Sequence, residues 1–236
     1  MTAMPSTAVL AGGLATRMRP LTERVPKALL EVAGEPFIAH QLRLFAREGI
    51  ADVKLLVERF VGDGGRFGVR VEYIVDGPVL LGTGGAIRHA LDRLGPEFLV
   101  IYCDSWLDAP YAPVVAAFRA SGQPALMCVY RNDNRWDASN VDFENGIIRR
   151  YSKKLRVPQM HHIDWGLGMV EANAVAARPA GEPWDLAELY EELADAGRLA
   201  GYEMMRRFYE IGSFEGLAET DLLFKARSAC WRLIQR

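Results

Sequence analysis

Short apolar runs alternate with stretches of helical period along the first part of the chain. Thr7-Ala8-Val9-Leu10 reads as a buried strand, and it empties into Ala11-Gly12-Gly13, where glycines permit tight turning and close backbone approach to a ligand. From Pro36 to Glu48, Phe37, Ile38, Leu42 and Phe45 recur near helical spacing, with Pro36 suited to the first turn and Gly49 to the stop. Val53 to Val57, Val71 to Val75 and Phe98 to Ile101 are further strands, separated by helical stretches at Gly85 to Leu94 and Pro113 to Ala120. This alternation predicts an α/β fold, a mostly parallel sheet with helices on both faces.

Beyond the strand Ala125 to Tyr130 the pattern changes. Val141-Asp142-Phe143 and Ile147 to Tyr151 flank Glu144-Asn145-Gly146, and Asn-Gly favours a tight hairpin, so a small antiparallel insertion is expected here. Trp165 to Val170 reads as a strand, Trp184 to Ala196 as an amphipathic helix, Phe208 to Ile211 as a short strand, and Phe214 onward as a terminal helix. With 236 residues, no repeat and no linker, the reading is one domain over 1–236.

Composition narrows the partners. Lys and Arg total 28 against 30 Asp and Glu, so no broad basic field exists to attract nucleic acid, and an anionic ligand must be held locally. Cys103, Cys128 and Cys230 are too few and scattered for a disulfide framework or a Cys-x-x-Cys metal site. No leader pattern or membrane-length apolar run is visible, so a soluble, cytoplasmic protein with no membrane partner is expected.

The most informative stretch runs from Leu10-Ala11-Gly12-Gly13-Leu14-Ala15-Thr16-Arg17 through Pro20 and Thr22 to Pro26-Lys27-Ala28-Leu29. Small residues at a strand end let successive N–H groups face an anion, while Arg17 and Lys27 offer positive charge to a polyphosphate. Without a Gly-Lys dipeptide it is no Walker A loop, and the third glycine of G-x-G-x-x-G is missing. Taken alone, such a loop is more often an ordinary turn with solvated charges than a functional site. Asp104 follows the apolar strand Phe98 to Cys103, where an open α/β sheet delivers its ligand groups.

The order and spacing of these residues resemble the opening motif of sugar-phosphate nucleotidyltransferases, with Ala15 in place of a usual glycine. The resemblance extends to about Leu223 and implies a Rossmann-like sheet and a magnesium-dependent reaction. A nucleoside triphosphate and a sugar 1-phosphate would give a nucleotide-sugar and pyrophosphate. It implies catalytic roles for Arg17 and Lys27, and a nucleotide pocket at Leu10, Ala11, Gly12, Gly13, Asp76, Gly82, Thr83 and Gly84. The last three belong to Leu81-Gly82-Thr83-Gly84-Gly85-Ala86, whose backbone amides are expected to face base or ribose. It implies Mg²⁺ ligation by Asp104 and by Glu210, which stands where the family usually has Asp. Sugar-phosphate contacts fall to Lys154, rather than Lys153, and to Asp164 and Gly166. Small bacterial enzymes acting on hexose, heptose or amino-sugar phosphates, including heptose-1-phosphate guanylyltransferases, look similar. A nucleotide-sugar-binding regulatory subunit of the same fold is the alternative; base, sugar and oligomeric state are not legible.

Overall fold

The computed structural model describes residues 4–11, 16–23, 25–56, 61–75, 77 and 79–234, the last seven and Thr16 by backbone alone. Gly12, Gly13 and Asp76 therefore lie outside the described residues.

The strands are β1 (Ser6–Leu10), β2 (Glu31–Val32), β3 (Glu35–Pro36), β4 (Asp52–Leu56), β5 (Arg70–Tyr73), β6 (Glu97–Tyr102) and β7 (Ser105–Trp106). They continue as β8 (Ala125–Arg131), β9 (Val141–Glu144), β10 (Ile147–Tyr151), β11 (His162–Glu171), β12 (Leu199–Met204) and β13 (Tyr209–Glu210). The helices are α1 (Phe37–Arg47), α2 (Gly82–Ala90), α3 (Ala112–Ser121), α4 (Ala172–Ala176), α5 (Leu186–Asp195) and α6 (Phe214–Ile234).

Among the described residues, nine strands form the main sheet in the order β5-β4-β1-β6-β11-β8-β12-β10-β9. The parallel part expected from the sequence is the run β5-β4-β1-β6. β11 then enters antiparallel to both β6 and β8, β12 returns parallel to β8, and the hairpin β9-β10 closes the edge. The sheet is thus mixed rather than mostly parallel. The physical reason is that β11, buried on both faces, carries the same near-continuous apolar run as a parallel strand, and such a run does not encode direction. The hairpin itself follows the Asn-Gly signal, with Asn145 at φ 53° and Gly146 at φ 80°.

Side chains alternate between two cores, as a period of two requires. Val9, Val53 and Leu55 face a layer containing Ile38, Leu42 and Phe45 of α1 and Val114 and Phe118 of α3. Ala8, Leu10 and Leu56 face the opposite layer, with Ile87 of α2 and Leu189 and Leu193 of α5. A third cluster joins Met18, Leu30, Phe37, Trp106, Ile211 and Phe224, and it underlies the site described next. No helix among the described residues is long and apolar enough to cross a membrane.

Candidate active site

Because β6 and β8 both oppose β11, the strands β1, β4, β6, β8 and β12 all deliver their C-terminal ends to one edge. Leu10 ends β1 there, its carbonyl accepting from Cys103 N at 3.0 Å, so the Ala11 loop and Asp104 emerge side by side. The turn carrying Asp104 is pinned from below. Gln41 of α1, fully buried, donates through Nε2 to Tyr102 O at 2.9 Å and Ser105 O at 3.0 Å. A buried amide that bridges two carbonyls fixes the backbone on both sides of the carboxylate.

Lys27 opens a short 3-10 turn, Lys27–Leu29, whose Ala28 is buried in the core. That anchor aims the ammonium at Asp104: Nζ lies 2.9 Å from Oδ2, with both side chains about a quarter or less exposed (20% and 24%). Ser105 Oγ donates to Oδ1 of Asp104 at 3.2 Å. Arg17, in the turn Thr16–Met18, is exposed because its neighbour Met18 is the buried residue.

Glu210 reaches the same place from β13, which pairs antiparallel with β7 so that Glu210 sits opposite Ser105. Ile211 N donates to Asp104 O at 2.9 Å. The point where a Cβ on Gly212 would stand is 2.6 Å from Glu210 Oε2, 3.3 Å from Asp104 Oδ2 and 3.6 Å from Lys27 Nζ, so these three groups surround one small space. The Glu210 carboxylate folds back onto the start of α6. Gly212 N donates to Oε2 and Ser213 Oγ donates to Oε1 (2.6 Å), while a Cβ on Gly216 would come within 1.9 Å of Oε1. Two hard oxygen donors, one in the turn between β6 and β7 and one on β13, suit Mg²⁺, which takes one or two carboxylates and completes its shell with phosphate oxygens and water. No group of three or more His, Cys, Asp or Glu able to hold a metal occurs among the described residues.

At the start of α2 two of the backbone amides expected to face a ligand are paired within the chain. Gly84 N and Gly85 N donate to Trp184 O, at 3.0 and 3.3 Å, and so do not face a ligand. A Cβ on Gly84 would lie 2.2 Å from the Trp184 ring, and one on Gly82 2.6 Å from Trp184 O. These glycines make a socket for Trp184. Thr83 Oγ1 donates to Asp185 Oδ1 at 2.9 Å and accepts from Leu186 N at 2.8 Å.

Asp185 also meets the sugar-side segment, since Lys153 Nζ lies 3.1 and 3.0 Å from its two oxygens. Burial works to raise the Asp185 carboxyl, but the Ala187 N–H, Lys153 and Thr83 together bring it below the usual aspartate value. Lys154 has no side-chain partner among the described residues, its backbone N donating to Ser152 Oγ at 3.2 Å. Asp164, on β11, is partly buried; its N donates to Asn140 Oδ1 at 3.0 Å and its Oδ1 accepts from Gly166 N at 2.9 Å. Burial raises its carboxyl above the usual value, against the lowering effects of the Gly166 N–H and Lys153. Gly166, at φ 89°, passes close to Ser105: a Cβ there would lie 3.4 Å from its Oγ. Gly166 thus lies beside the serine that bonds Asp104, and Asp164 bonds the Gly166 N–H.

Sequence reasoning missed Asp185, Trp184, Ser105 and Ser213, and it missed Trp136 and Arg207, which line a cleft shared with Arg17 and Glu210. Trp136, in the polar run Asp133-Asn134-Arg135-Trp136-Asp137, was the one visible signal, a large aromatic with no apolar neighbour to bury it.

The Nucleotidyl transferase family model matches residues 6–159. Among curated relatives, a mannose-1-phosphate guanylyltransferase of Mycobacterium tuberculosis is 30% identical over 183 residues, 73% of this chain and 50% of its own. A UTP–glucose-1-phosphate uridylyltransferase of Synechocystis is 27% identical over 214 residues, 80% of this chain and 55% of its own. The chain thus spans about half the length of these relatives. Among solved structures, the UTP-bound UGPase of Acinetobacter baumannii superposes with a TM-score of 0.76 at 16% identity, covering 99% of both chains, and so shares the fold. A Bacillus anthracis protein assigned as a glucose-1-phosphate thymidylyltransferase and crystallised with sucrose superposes at 0.81 and 22% identity, covering 94% of this chain and 95% of that one.

Proposed function

Because the chain belongs to the Nucleotidyl transferase family, we propose that it transfers a nucleotidyl group from a nucleoside triphosphate to a sugar 1-phosphate, releasing pyrophosphate, as a single cytoplasmic domain over 1–236. The observation that carries this reading is the convergence of Lys27, Asp104 and Glu210 around Gly212, at the sheet edge where the Ala11 loop emerges. A cation and two carboxylates held this way suit a polyphosphate and its divalent ion better than a neutral metabolite.

The parallel half β5-β4-β1-β6 serves as the Rossmann-like nucleotide half. Leu10, Ala11, Gly12, Gly13 and Asp76 line its pocket, while Gly82, Thr83 and Gly84 fix the start of α2 beside it. In the reaction an oxygen of the sugar phosphate forms a bond to the α-phosphorus. The bond from that phosphorus to the bridging oxygen breaks, and its electron pair leaves with pyrophosphate. A phosphate monoester has its second pKa near about 6, so the attacking oxygen is already anionic and no general base is needed. Arg17 and Lys27 stabilise charge on the triphosphate, which requires Lys27 to exchange Asp104 for phosphate oxygen. Lys154, which pairs with no carboxylate among the described residues, holds the sugar phosphate, and Asp164 and Gly166 face sugar hydroxyls. A magnesium ion held by Asp104 and Glu210 would supply charge neutralisation at the phosphates.

Pyrophosphate release, measured over a matrix of nucleoside triphosphates and sugar 1-phosphates with and without magnesium, tests the reading and identifies base and sugar. At least one pair should turn over, and Asp104→Asn should slow it by ~100-fold or more. Nucleotide-sugar binding without pyrophosphate release from any pair would replace this reading with that of a regulatory subunit.

A further inference from the structure

The loop 132–139, between β8 and β9, is polar yet densely bonded. Asn132, fully buried, donates from Nδ2 to Asp137 O at 2.6 Å and to Ser139 Oγ at 3.2 Å, and its Oδ1 accepts from Trp136 N at 3.2 Å. Ser139 N donates to Asn134 Oδ1 at 2.8 Å, and Ser139 O accepts from Arg156 at 2.9 Å. A loop tied in this way has lost its freedom on folding and has little left to lose on binding.

This loop presents Trp136, a large aromatic that is 49% exposed. One face of the indole is covered by the Arg207 guanidinium, whose Cζ is 3.4 Å from the ring centroid and also 4.7 Å from that of Tyr209. Glu219 of α6 holds both Nη atoms of Arg207, at 2.7 and 2.5 Å. The stack Trp136-Arg207-Tyr209 is therefore fixed from two sides, and it walls a cleft of about 730 Å³ that also reaches Arg17, Asp137, Glu210 and Glu215.

We propose that this cleft receives the sugar ring of the acceptor, with Trp136 as its stacking platform. Asp137 and Glu215 accept those of its hydroxyls that do not face Asp164 and Gly166, and the cleft selects sugar 1-phosphates without a second acidic group over those that carry a carboxylate. The inference rests on the nucleotidyl-transfer reading above and names the acceptor class of that site. Position supports it: Arg17 and Glu210 belong both to the cleft and to the reacting site, and the loop ends at Asn140, which holds the Asp164 backbone. Chemistry supports it as well, because sugars offer C–H faces to an indole and hydroxyls to carboxylates, and a rigid aromatic costs little entropy to use. Charge gives the selectivity. Four carboxylates line the cleft against two guanidiniums, and one of these, Arg207, is already neutralised by Glu219. An added carboxylate on the sugar would face Asp137 and Glu215, neither of which has a cationic partner among the described residues, and would be repelled.

The test compares glucose 1-phosphate with glucuronic acid 1-phosphate in the wild type, in Trp136→Ala, in Trp136→Phe and in the double variant Asp137→Asn/Glu215→Gln. The wild type should prefer the neutral sugar by roughly tenfold or more in kcat/KM, and the double variant should narrow that ratio several-fold. Trp136→Ala should raise KM for the sugar phosphate about tenfold and leave KM for the triphosphate within about twofold, with Trp136→Phe recovering most of the loss. Equal use of both sugars by the wild type, or a rise in the triphosphate KM instead of the sugar KM, overturns the proposal. If no pair releases pyrophosphate, the transfer reading fails separately, and calorimetric binding of glucose 1-phosphate decides this one. Equal affinity in the wild type and Trp136→Ala, or no binding to either, overturns it; weaker binding in Trp136→Ala alone sustains it.

Discussion

At the scale of single residues, Glu210 shows how a site absorbs a side chain one methylene longer than expected. Its carboxylate folds back to take donors from Gly212 and Ser213, and a Cβ on Gly212 or Gly216 would stand 2.6 or 1.9 Å from its oxygens. The glycines thus make room for the glutamate. Glu210→Asp cannot reach these donors without moving β13, so it should weaken magnesium dependence as well as turnover. Glu210→Gln keeps the length and loses the charge, and should be the worse of the two, by ~10-fold or more in turnover. A magnesium titration of pyrophosphate release checks both; wild-type behaviour of the Gln variant would leave Glu210 as a brace for α6 and nothing more. That Lys27 and Asp104 meet at one sheet edge was legible in outline, Lys27 from a local motif of specific spacing and Asp104 from its place after an apolar strand. Ser105 and Ser213 were not, since each acts only through a carboxylate that the sequence alone does not place beside it.

At the scale of elements, the junction of α2, α5 and the segment after β10 converges on one side chain. Asp185 caps α5, accepts from Thr83 at the start of α2 and pairs with Lys153, joining parts of the chain up to 102 residues apart. Contacts of that separation leave no periodic trace, which is why α2 and α5 were each readable as helices while the bond between them was not. The glycines of α2 were legible as special, but the sequence did not show that Gly82 and Gly84 also leave room for Trp184. The arrangement also separates the two lysines. With Lys153 committed to Asp185, Lys154→Ala should raise KM for the sugar phosphate by about tenfold and leave the triphosphate KM little changed. Lys153→Ala and Asp185→Asn should instead lower the thermal midpoint modestly, because Asn still caps a helix but loses the ion pair. Steady-state kinetics beside thermal melts distinguishes the roles, and the reverse ranking would place Lys153 at the phosphate.

At the scale of the whole molecule, the strand order explains why the site stands where it does. Elements of the first half were legible from period and punctuation, but the entry of β11 between β6 and β8 was not, and it is this insertion that brings Gly166 beside Ser105. The last helix completes the arrangement. Phe224 of α6 packs on Trp106 at 4.7 Å and on His40 at 4.5 Å between ring centroids, in the cluster that also buries Met18 and Ile211. Asp221 accepts from Ala33 N at 2.7 Å, and Arg227 pairs with Asp108 at 2.8 Å, so α6 is strapped to the turn between β2 and β3 as well as to the segment after β7. Of the apolar residues that close the chain, Phe224 is buried while Leu222 remains 67% exposed, so the helix docks by one face. The same cluster sets β7, β13 and the Met18 turn, and through them Asp104, Glu210 and Arg17. Phe224→Ala removes its central ring and should cost about 3–5 kcal/mol, visible as a fall in the thermal midpoint of several degrees or more. Because the two carboxylates are held by strands resting on that cluster, the variant should also need more magnesium for half-maximal pyrophosphate release, measured well below its melting temperature. A lowered midpoint with an unchanged magnesium requirement would show that α6 contributes stability alone, and that the geometry of Asp104 and Glu210 is set by β6 and Gln41 without it.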